Sequence, residues 1–437
     1  MAKIAPFQGI RYNQEKVKNL DEVVTPPYDI INPVEQENYY QKHLFNIIRL
    51  ELGKTFPTDT EKDNRYTRAA NTFSQWLQEE ILLQDPKPAF YLYQQEFDFT
   101  GTLLTRTGFF ARVELTEYSQ GIVLPHEETL PKHKADRLEL MRACNANFSP
   151  IFGLYNEPEG KIVDLLKSKA NLQEPDAAVK DQFGVIHKLW RVDKPEIINS
   201  VVEIFAPLQI FIADGHHRYE TALQFQRELG QNHKPGANYV MMVLVNLIDP
   251  GLAVYPTHRM VKNLEDFNQD RLLEKVTPYF EIETVSLESG DINCLMSKLG
   301  ETGENRHAFG LFTGETEGYL LVLRQDIQPI QFAHSGASEN WANLDVSILH
   351  NIILENILGI GSKQRVNESN LTYTRSAEEA FLHVSEGQYQ LAFFLNPTKI
   401  SEVTTIAQAG EKMPQKSTYF YPKLITGLVI NSLDSPY

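Results

Sequence analysis

An α+β fold, with mixed sheets and flanking helices, is predicted on three observations. Aromatic and β-branched residues crowd Ala89 to Phe99 and Arg106 to Leu115 on either side of Gly101, the pattern of an antiparallel hairpin. Ala69, Phe73, Trp76 and Leu77 recur at helical spacing within Arg68 to Leu82. Tyr239 to Leu247 is apolar except for Asn246, as expected of a central strand covered on both faces.

The remaining elements follow in chain order. Val23 to Ile30 reads as a strand running into a double-proline turn, and Asn32-Pro33-Val34-Glu35 as a helix start with its cap and N1 proline. Ile47 to Leu52 reads as a strand, Leu138 to Ala143 as a helix, Ile151 to Tyr155 as a strand and Ile162 to Ser168 as a helix. Leu189 to Val192 is strand-like, Pro195 to Phe205 helical, and Gln209 to Ala213 a buried strand leading into Asp214. Beyond Asn263 come a helix at Phe267 to Lys275, strands at Phe309 to Phe312 and Tyr319 to Leu323, and one helix from Asp345 to Leu358. A helix capped by Ser376 over Ala377 to Val384 and a strand at Gln390 to Leu395 complete the pattern. No period of 20 to 50 residues recurs, which excludes solenoids and propellers. At 437 residues two domains are expected, 1–262 and 263–437, the second of α/β character.

Forty-one basic against 57 acidic residues give a formal charge of −16, which disfavours nucleic acid as a partner. Cys144 and Cys294 fit no metal-ligand spacing and are expected as free, buried thiols in a reducing compartment. The N-terminus lacks a signal-peptide core and no stretch is long enough to span a bilayer, so a cytoplasmic protein without membrane partners, compatible with a homo-oligomer, is expected.

The densest chemistry lies at Ile212-Ala-Asp-Gly-His-His-Arg-Tyr219. Phe211 to Ala213 forms the strand end, Gly215 permits a tight turn, and a helix begins near His217. Helix starts present outward amides with the positive dipole end behind them, a site for phosphate or carboxylate. There Arg218 would fork onto the anion and His216 or His217 would donate a hydrogen bond or carry a proton. Asp214 would cap the helix, orient a histidine, or hold a magnesium ion that bridges phosphates. The alternative is that Asp214 merely caps, the histidines are solvated, and Arg218 pairs with a nearby carboxylate.

A second polar segment, Pro125 to Arg137, carries His126, Glu127, Lys132, Lys134, Asp136 and Arg137, which would supply a general base and phosphate-neutralising cations. It is no metalloprotease helix, because that motif's second histidine would fall at Leu130. A solvated charged loop is the competing reading. Tyr255-Pro-Thr-His-Arg259 and Met413 to Lys423 are further candidates; in the latter, Lys416 beside Ser417 and Thr418 has the chemistry of a phosphate site without a Walker loop's glycines. His334 and His350 read as ordinary loop and helix residues.

Taken together, Pro6-Phe7 with Gly9 to Tyr12, Val23 to Asp29, Leu124 to Arg137, Asn147 to Tyr155, Ala213 to Leu223, Pro256 to Arg259, Leu344 to His350 and Met413 to Lys423 resemble a family of uncharacterised proteins, the domain of unknown function numbered 1015. More distantly, Asp214 to Arg218 resembles the phosphate box of the ParB/sulfiredoxin superfamily, whose members bind nucleotides and one branch of which phosphorylates free serine. That resemblance implies a ParB/sulfiredoxin-like core and a nucleotide at Gly215, His216, His217 and Arg218. His216 stands where sulfiredoxins carry cysteine, which departs from sulfiredoxin chemistry. The resulting expectation is a phosphotransferase using a nucleoside di- or triphosphate and Mg2+ on a small hydroxylated metabolite such as serine. Arg218 and the helix start would hold phosphate, Lys132 or Lys134 would neutralise charge, and Asp214 or Glu127 would orient the acceptor hydroxyl. The alternatives are a non-catalytic nucleotide-binding regulator and, less favoured by charge, a nuclease or DNA-binding module.

Overall fold

The structure is a computed structural model that describes residues 1–127, 131–230, 235–287, 290–361, 364 and 369–434, and of 131–133 the backbone only. It divides into two compact units, Met1–Ala253 with Phe420–Tyr437, and Val254–Tyr419. The division expected near 262 therefore lies at 253–254, and the C-terminal segment belongs with the first unit rather than the second.

The first unit carries a nine-stranded mixed sheet made of β1 (Ile4–Ala5), β2 (Phe90–Phe99), β3 (Thr102–Glu114), β4 (Val123–Leu124), β5 (Ile151–Tyr155), β6 (Ala177–Lys180), β7 (Ile186–Val192), β8 (Ile210–Asp214) and β9 (Tyr239–Asn246). Its order is β4-β8-β5-β9-β3-β2-β7-β6, with β1 alongside β3. The hairpin β2–β3 pairs Phe99 with Thr102 through Tyr91 with Phe110. The apolar run of β9 is central, parallel to β5 and antiparallel to β3. The helices are α1 (Pro33–Lys42), α2 (Ile48–Glu51), α3 (Arg65–Gln78), α4 (Pro131–Cys144), α5 (Lys161–Lys167), α6 (Pro195–Phe205) and α7 (His216–Leu229).

Capping chemistry fixes α1 as expected: Asn32 accepts from the Val34 and Glu35 amides, Glu35 returns the bond to the Asn32 amide, and Pro33 fills N1. The strand expected at Ile47 to Leu52 is instead α2. Asn46 Oδ1 accepts from the Ile48 amide at 2.9 Å and starts the turn, and over six residues an apolar run fits either period. Val23 to Ile30 forms no strand either; two 3-10 turns, Leu20–Glu22 and Tyr28–Ile30, flank a single bridge from Thr25 to Thr426.

One face of this sheet meets α6 and α7 in an apolar core. Phe90, Phe109, Tyr155, Ile210, Ile212 and Leu244 pack there with Val201 and Phe205 of α6 and Ala222 and Phe225 of α7. The period-two alternation of β3 sends Arg106 and Arg112 to the opposite face. Both are fully buried and meet the returning C-terminal segment. Arg106 donates to the carbonyls of Tyr421, at 3.0 Å, and Pro422, and to Gln95; Arg112 donates to Asn431 Oδ1 at 2.7 Å and to the Ser432 carbonyl at 2.8 Å. Burial pushes both guanidiniums down to about 10, still charged at neutral pH.

The second unit is a six-stranded, wholly antiparallel sheet of β10 (His258–Val261), β11 (Phe280–Ser286), β12 (Ala308–Phe312), β13 (Glu317–Leu323), β14 (Leu371–Thr374) and β15 (Leu391–Phe394), in the order β11-β13-β12-β15-β10-β14. Alternate residues feed two cores. Phe309, Leu311, Leu321 and Phe393 face one; Ala308, Phe312, Leu320 and Phe394 face the other. The first is closed by α8 (Gln269–Val276), the second by α9 (Asn293–Gly303). After α10 (Glu339–Ala342), the single helix expected from Asp345 begins as α11 (Asp345–Ile348) and widens into a π-helix, Leu349–Ile357. Apolar spacing alone does not separate those two hydrogen-bond registers. The chain continues through α12 (Ala377–Ser385), capped by Ser376, and α13 (Ile400–Gln408).

Both cysteines are free thiols; Cys144 is buried as expected, but Cys294 is exposed, because Leu295 and Leu299 take the core face of α9. Among the described residues no helix is long and apolar enough to cross a membrane.

Replacing Arg106 strands several buried acceptors at once. Arg106→Ala is expected to cost about 3 kcal/mol of unfolding free energy, the scale for breaking a buried charged network. A urea titration measures it, and limited proteolysis should report cleavage near residue 420; an unchanged midpoint with an uncut C-terminus would contradict the clamp.

Candidate functional site

The corner after β8 is built by local geometry. A bulge lies between Ile212, paired with Gly153, and Asp214, paired with Phe152; it takes Ala213 out of register and leaves Asp214 as the last residue of the ladder. Gly215 then adopts φ 93 as the N-cap of α7 and offers no side chain to cap the first turn. A Cβ at that position would lie 2.8 Å from Arg218 Nε, so glycine is also needed for the guanidinium to fold back over the turn.

Asp214 is the hub. Arg218 Nη2 donates to its Oδ2 at 2.8 Å, and Lys423 Nζ donates to its Oδ1 at 2.8 Å. Burial by itself would raise this carboxyl, but the Lys423 and Arg218 charges outweigh it and hold Asp214 well below the usual carboxylate range. Arg218 is buried and also donates to the Pro150 carbonyl. Asp214 therefore neither caps the helix nor stands open to a metal ion, since both oxygens are engaged by cations. Among the described residues no group of three His, Cys, Asp or Glu is placed to hold a metal.

β4 runs parallel to the start of β8, pairing Val123 with Ile210 and Leu124 with Phe211, and this delivers His126 to the corner. His126 is fully buried, its Nδ1 donates to the Ile212 carbonyl at 2.7 Å, and its amide donates to His216 Nε2 at 3.2 Å. The two rings meet edge to face at 4.7 Å. His216 is thus buried and bonded rather than solvated, while His217 is half-buried. Burial pushes His126 down to about 4, so its ring is neutral at neutral pH.

The rest of the 126 to 137 segment divides. Glu127 is half-buried, next to His126 in the chain. The Lys132 side chain lies outside the described residues. Lys134 pairs with Glu220 at 2.9 Å. Arg137 is buried over the Tyr28 ring at 3.9 Å, pairs with Glu51 at 3.3 Å and binds Asp136. Neither described cation reaches Asp214, but Arg137 and Arg218 line one cavity of about 40 Å³ with Glu51, Ser149 and Thr221, enough for little more than a water. Burial raises the Glu51 carboxyl, and Ser149 donates to it at 2.8 Å.

Of the 413 to 423 motif, Lys416 belongs to the second unit, where its carbonyl accepts from Arg259 at 3.1 Å; Lys423 is the basic residue at the corner. Gln95 holds the Lys423 carbonyl at 3.0 Å, and Phe420 packs on Phe152, ring centres 5.6 Å apart. The sequence singled out Lys416 in this segment rather than Lys423, and gave no role to Glu51, Ser149 or Gln95. The one available signal was the lysine that follows Pro422 after the aromatic run Tyr419 to Tyr421.

The buried neutral His126 has a pH consequence. Its folded pKa lies below the unfolded value of about 6.5, so its contribution is present above that pH and lost as pH falls toward 4. The loss is expected to be on the order of 3 kcal/mol. Thermal melts between pH 7 and 4.5 should show it, and His126→Gln should flatten that slope; an equal slope in the variant would refute the assignment. Asp214, depressed by its cations, keeps its contribution above about pH 4 and loses it only in stronger acid.

The chain is similar in path to a conserved hypothetical protein from Pyrococcus furiosus, 13% identical, over 76% of this chain and 97% of that one, at a TM-score of 0.35. It is similar to a free serine kinase in complex with AMP, 13% identical, over 74% and 91%, at 0.35, and to SbnI from Staphylococcus aureus, 10% identical, over 74% and 87%, at 0.34. No curated protein matches in sequence. The family model described as a protein of unknown function, DUF1015, matches residues 4–347, which span the corner at Asp214 to Arg218 and leave Lys423 beyond the matched stretch. On that match the chain belongs to the DUF1015 family.

Proposed function

We propose that the Asp214 to Arg218 corner binds the phosphates of a nucleoside di- or triphosphate, and that the protein is a phosphotransferase acting on a small hydroxylated metabolite such as serine. The observation that carries this reading is the convergence of two cations at a helix start: Arg218 and Lys423 meet at one carboxylate beneath a first turn whose N-cap is glycine. An anion placed there would lie at the positive end of the α7 dipole, beside both cations.

The corner is taken as the phosphate box of a ParB/sulfiredoxin-like core, with Gly215 and His217 at the anion, Arg218 and Lys423 supplying charge and His126 and His216 bracing the turn. The described residues give magnesium no ligand cluster, so the metal would come with the phosphates and their waters. In the transfer itself, the acceptor oxygen bonds to the terminal phosphorus, the bridging P–O bond breaks, and the hydroxyl proton passes to a carboxylate, for which Glu127 is the candidate. Lys132, whose side chain is not described, and Lys134 are the candidates to neutralise leaving charge.

Calorimetry with ATP and ADP in the presence of magnesium is the test. Saturable binding is expected, weakened tenfold or more by Lys423→Met, a loss of about 1.4 kcal/mol. Absence of binding, or undiminished binding in that variant, would sink the proposal. A second reading, nucleotide binding without turnover, is favoured by one observation: Asp214, Arg218, His126 and His216 are all tied to one another or to backbone, which suits holding a ligand better than moving a proton. Phosphorus NMR of a serine-containing reaction distinguishes the two, since only the transferase yields a phosphomonoester.

A further inference from the structure

Buried tyrosines ordinarily hand their hydroxyl to an acceptor. In the first unit Tyr12 donates to the Phe45 carbonyl at 2.7 Å, Tyr91 to Asp85 Oδ2 at 2.8 Å and Tyr219 to the Thr116 carbonyl at 2.8 Å. Tyr28 does not. It is 8% exposed, and its hydroxyl forms no hydrogen bond among the described residues. The hydroxyls of Tyr118 and Tyr155 also lack partners, but those oxygens are sealed inside the protein, whereas that of Tyr28 is not. Tyr28 thus presents a donor that is nearly desolvated, unsatisfied and still reachable.

Two constraints hold its ring in place. Thr25 and Thr426 form a bridge, the Thr25 amide donating to the Thr426 carbonyl at 3.2 Å and the Thr426 amide to the Thr25 carbonyl at 2.8 Å. Pro26 and Pro27 follow, and Tyr28 opens a 3-10 turn. Tyr28 lies three residues after Thr25 and Lys423 three before Thr426, so one bridge ties the ring to the segment that carries the corner's second cation. From the other side the Arg137 guanidinium covers the ring at 3.9 Å, itself fixed by the Glu51 carbonyl at 2.9 Å. Burial holds the phenol well above its ordinary range; Arg137 and Arg218 pull it down, and Asp29 and Glu51 push it further up. It is therefore protonated at neutral pH, and Arg218 in turn feels Tyr28. The Asp29 carboxylate is exposed to solvent, whereas Arg218 is buried beside the helix start.

We infer that the Tyr28 hydroxyl is a further ligand contact of the corner, donating a hydrogen bond to a phosphate oxygen of the bound nucleotide. This rests on the nucleotide reading of the corner. Tyr28→Phe keeps the ring beneath Arg137 and removes only the donor, while Tyr28→Leu removes both. The test is calorimetric titration of the full chain with ADP and magnesium, with pyrophosphate as competitor, beside thermal melts without ligand. Tyr28→Phe is expected to melt with the wild type yet bind ADP at least about threefold more weakly, the scale of one neutral hydrogen bond. Pyrophosphate should weaken by the same factor, and Tyr28→Leu should both melt lower and bind no better than Tyr28→Phe. No ADP binding by the wild type would overturn the nucleotide reading and this inference with it. ADP bound by the wild type and equally well by Tyr28→Phe would overturn this inference alone. So would a loss that pyrophosphate does not share, which puts the hydroxyl at the nucleoside, or a Tyr28→Phe melt as low as that of Tyr28→Leu, which makes the hydroxyl a support of the fold.

Discussion

A guanidinium taken fully out of water keeps its charge only if the protein surrounds it with acceptors, and Arg106 meets that condition with the carbonyls of Tyr421 and Pro422 and with Gln95. No carboxylate pairs with it among the described residues. The consequence reaches well beyond β3. The same bonds hold residues 420–423 against the second face of the first unit's sheet, and so bring the Lys423 ammonium to Asp214. Arg112, six residues along the same strand and therefore on the same face, repeats the device for Asn431 and Ser432. That second face, which also carries the buried Tyr91, Phe110, Phe152 and Val243, is covered by the C-terminal segment.

At the corner, burial and charge pull in opposite directions, and charge wins at Asp214 while burial wins at His126. Asp214 lies between two cations, so ionisation is favoured despite desolvation. At His126 burial outweighs the Ile212 carbonyl and the Asp214 charge, both of which favour the protonated ring, and the imidazole stays neutral. The result is a neutral His126 ring set edge to face against His216, beside the charged triad of Asp214, Arg218 and Lys423. Such an arrangement fixes the helix start, and preorganised positive charge is what the proposed phosphate site would use.

The second unit is organised on a different principle. Its antiparallel sheet buries both faces, with alternate residues of β12, β13 and β15 serving separate cores. Polar groups are thereby driven to strand ends and helix starts, where His307 and Asp345 meet.

The sequence by itself determined whatever depends on neighbours within about a dozen residues. The β2–β3 hairpin, the capped start of α1, the Pro195–Phe205 helix and the strand-glycine-helix corner were all legible, because spacing, caps and turn residues act locally. Ile47 to Leu52 was misread where six residues satisfied two periods at once. Only the tertiary structure decided which groups the corner would meet. His126 and His216 are 90 residues apart and Lys423 and Asp214 are 209 apart. Such pairings are set by strand order, which sequence periodicity does not encode. Thus Asp214 to Arg218 could be read as a strand-turn-helix corner from its own residues, and a carboxylate partner for Arg218 was one of the two readings, but nothing in those residues told that the partner is Asp214, or that the second cation would be Lys423 rather than Lys416.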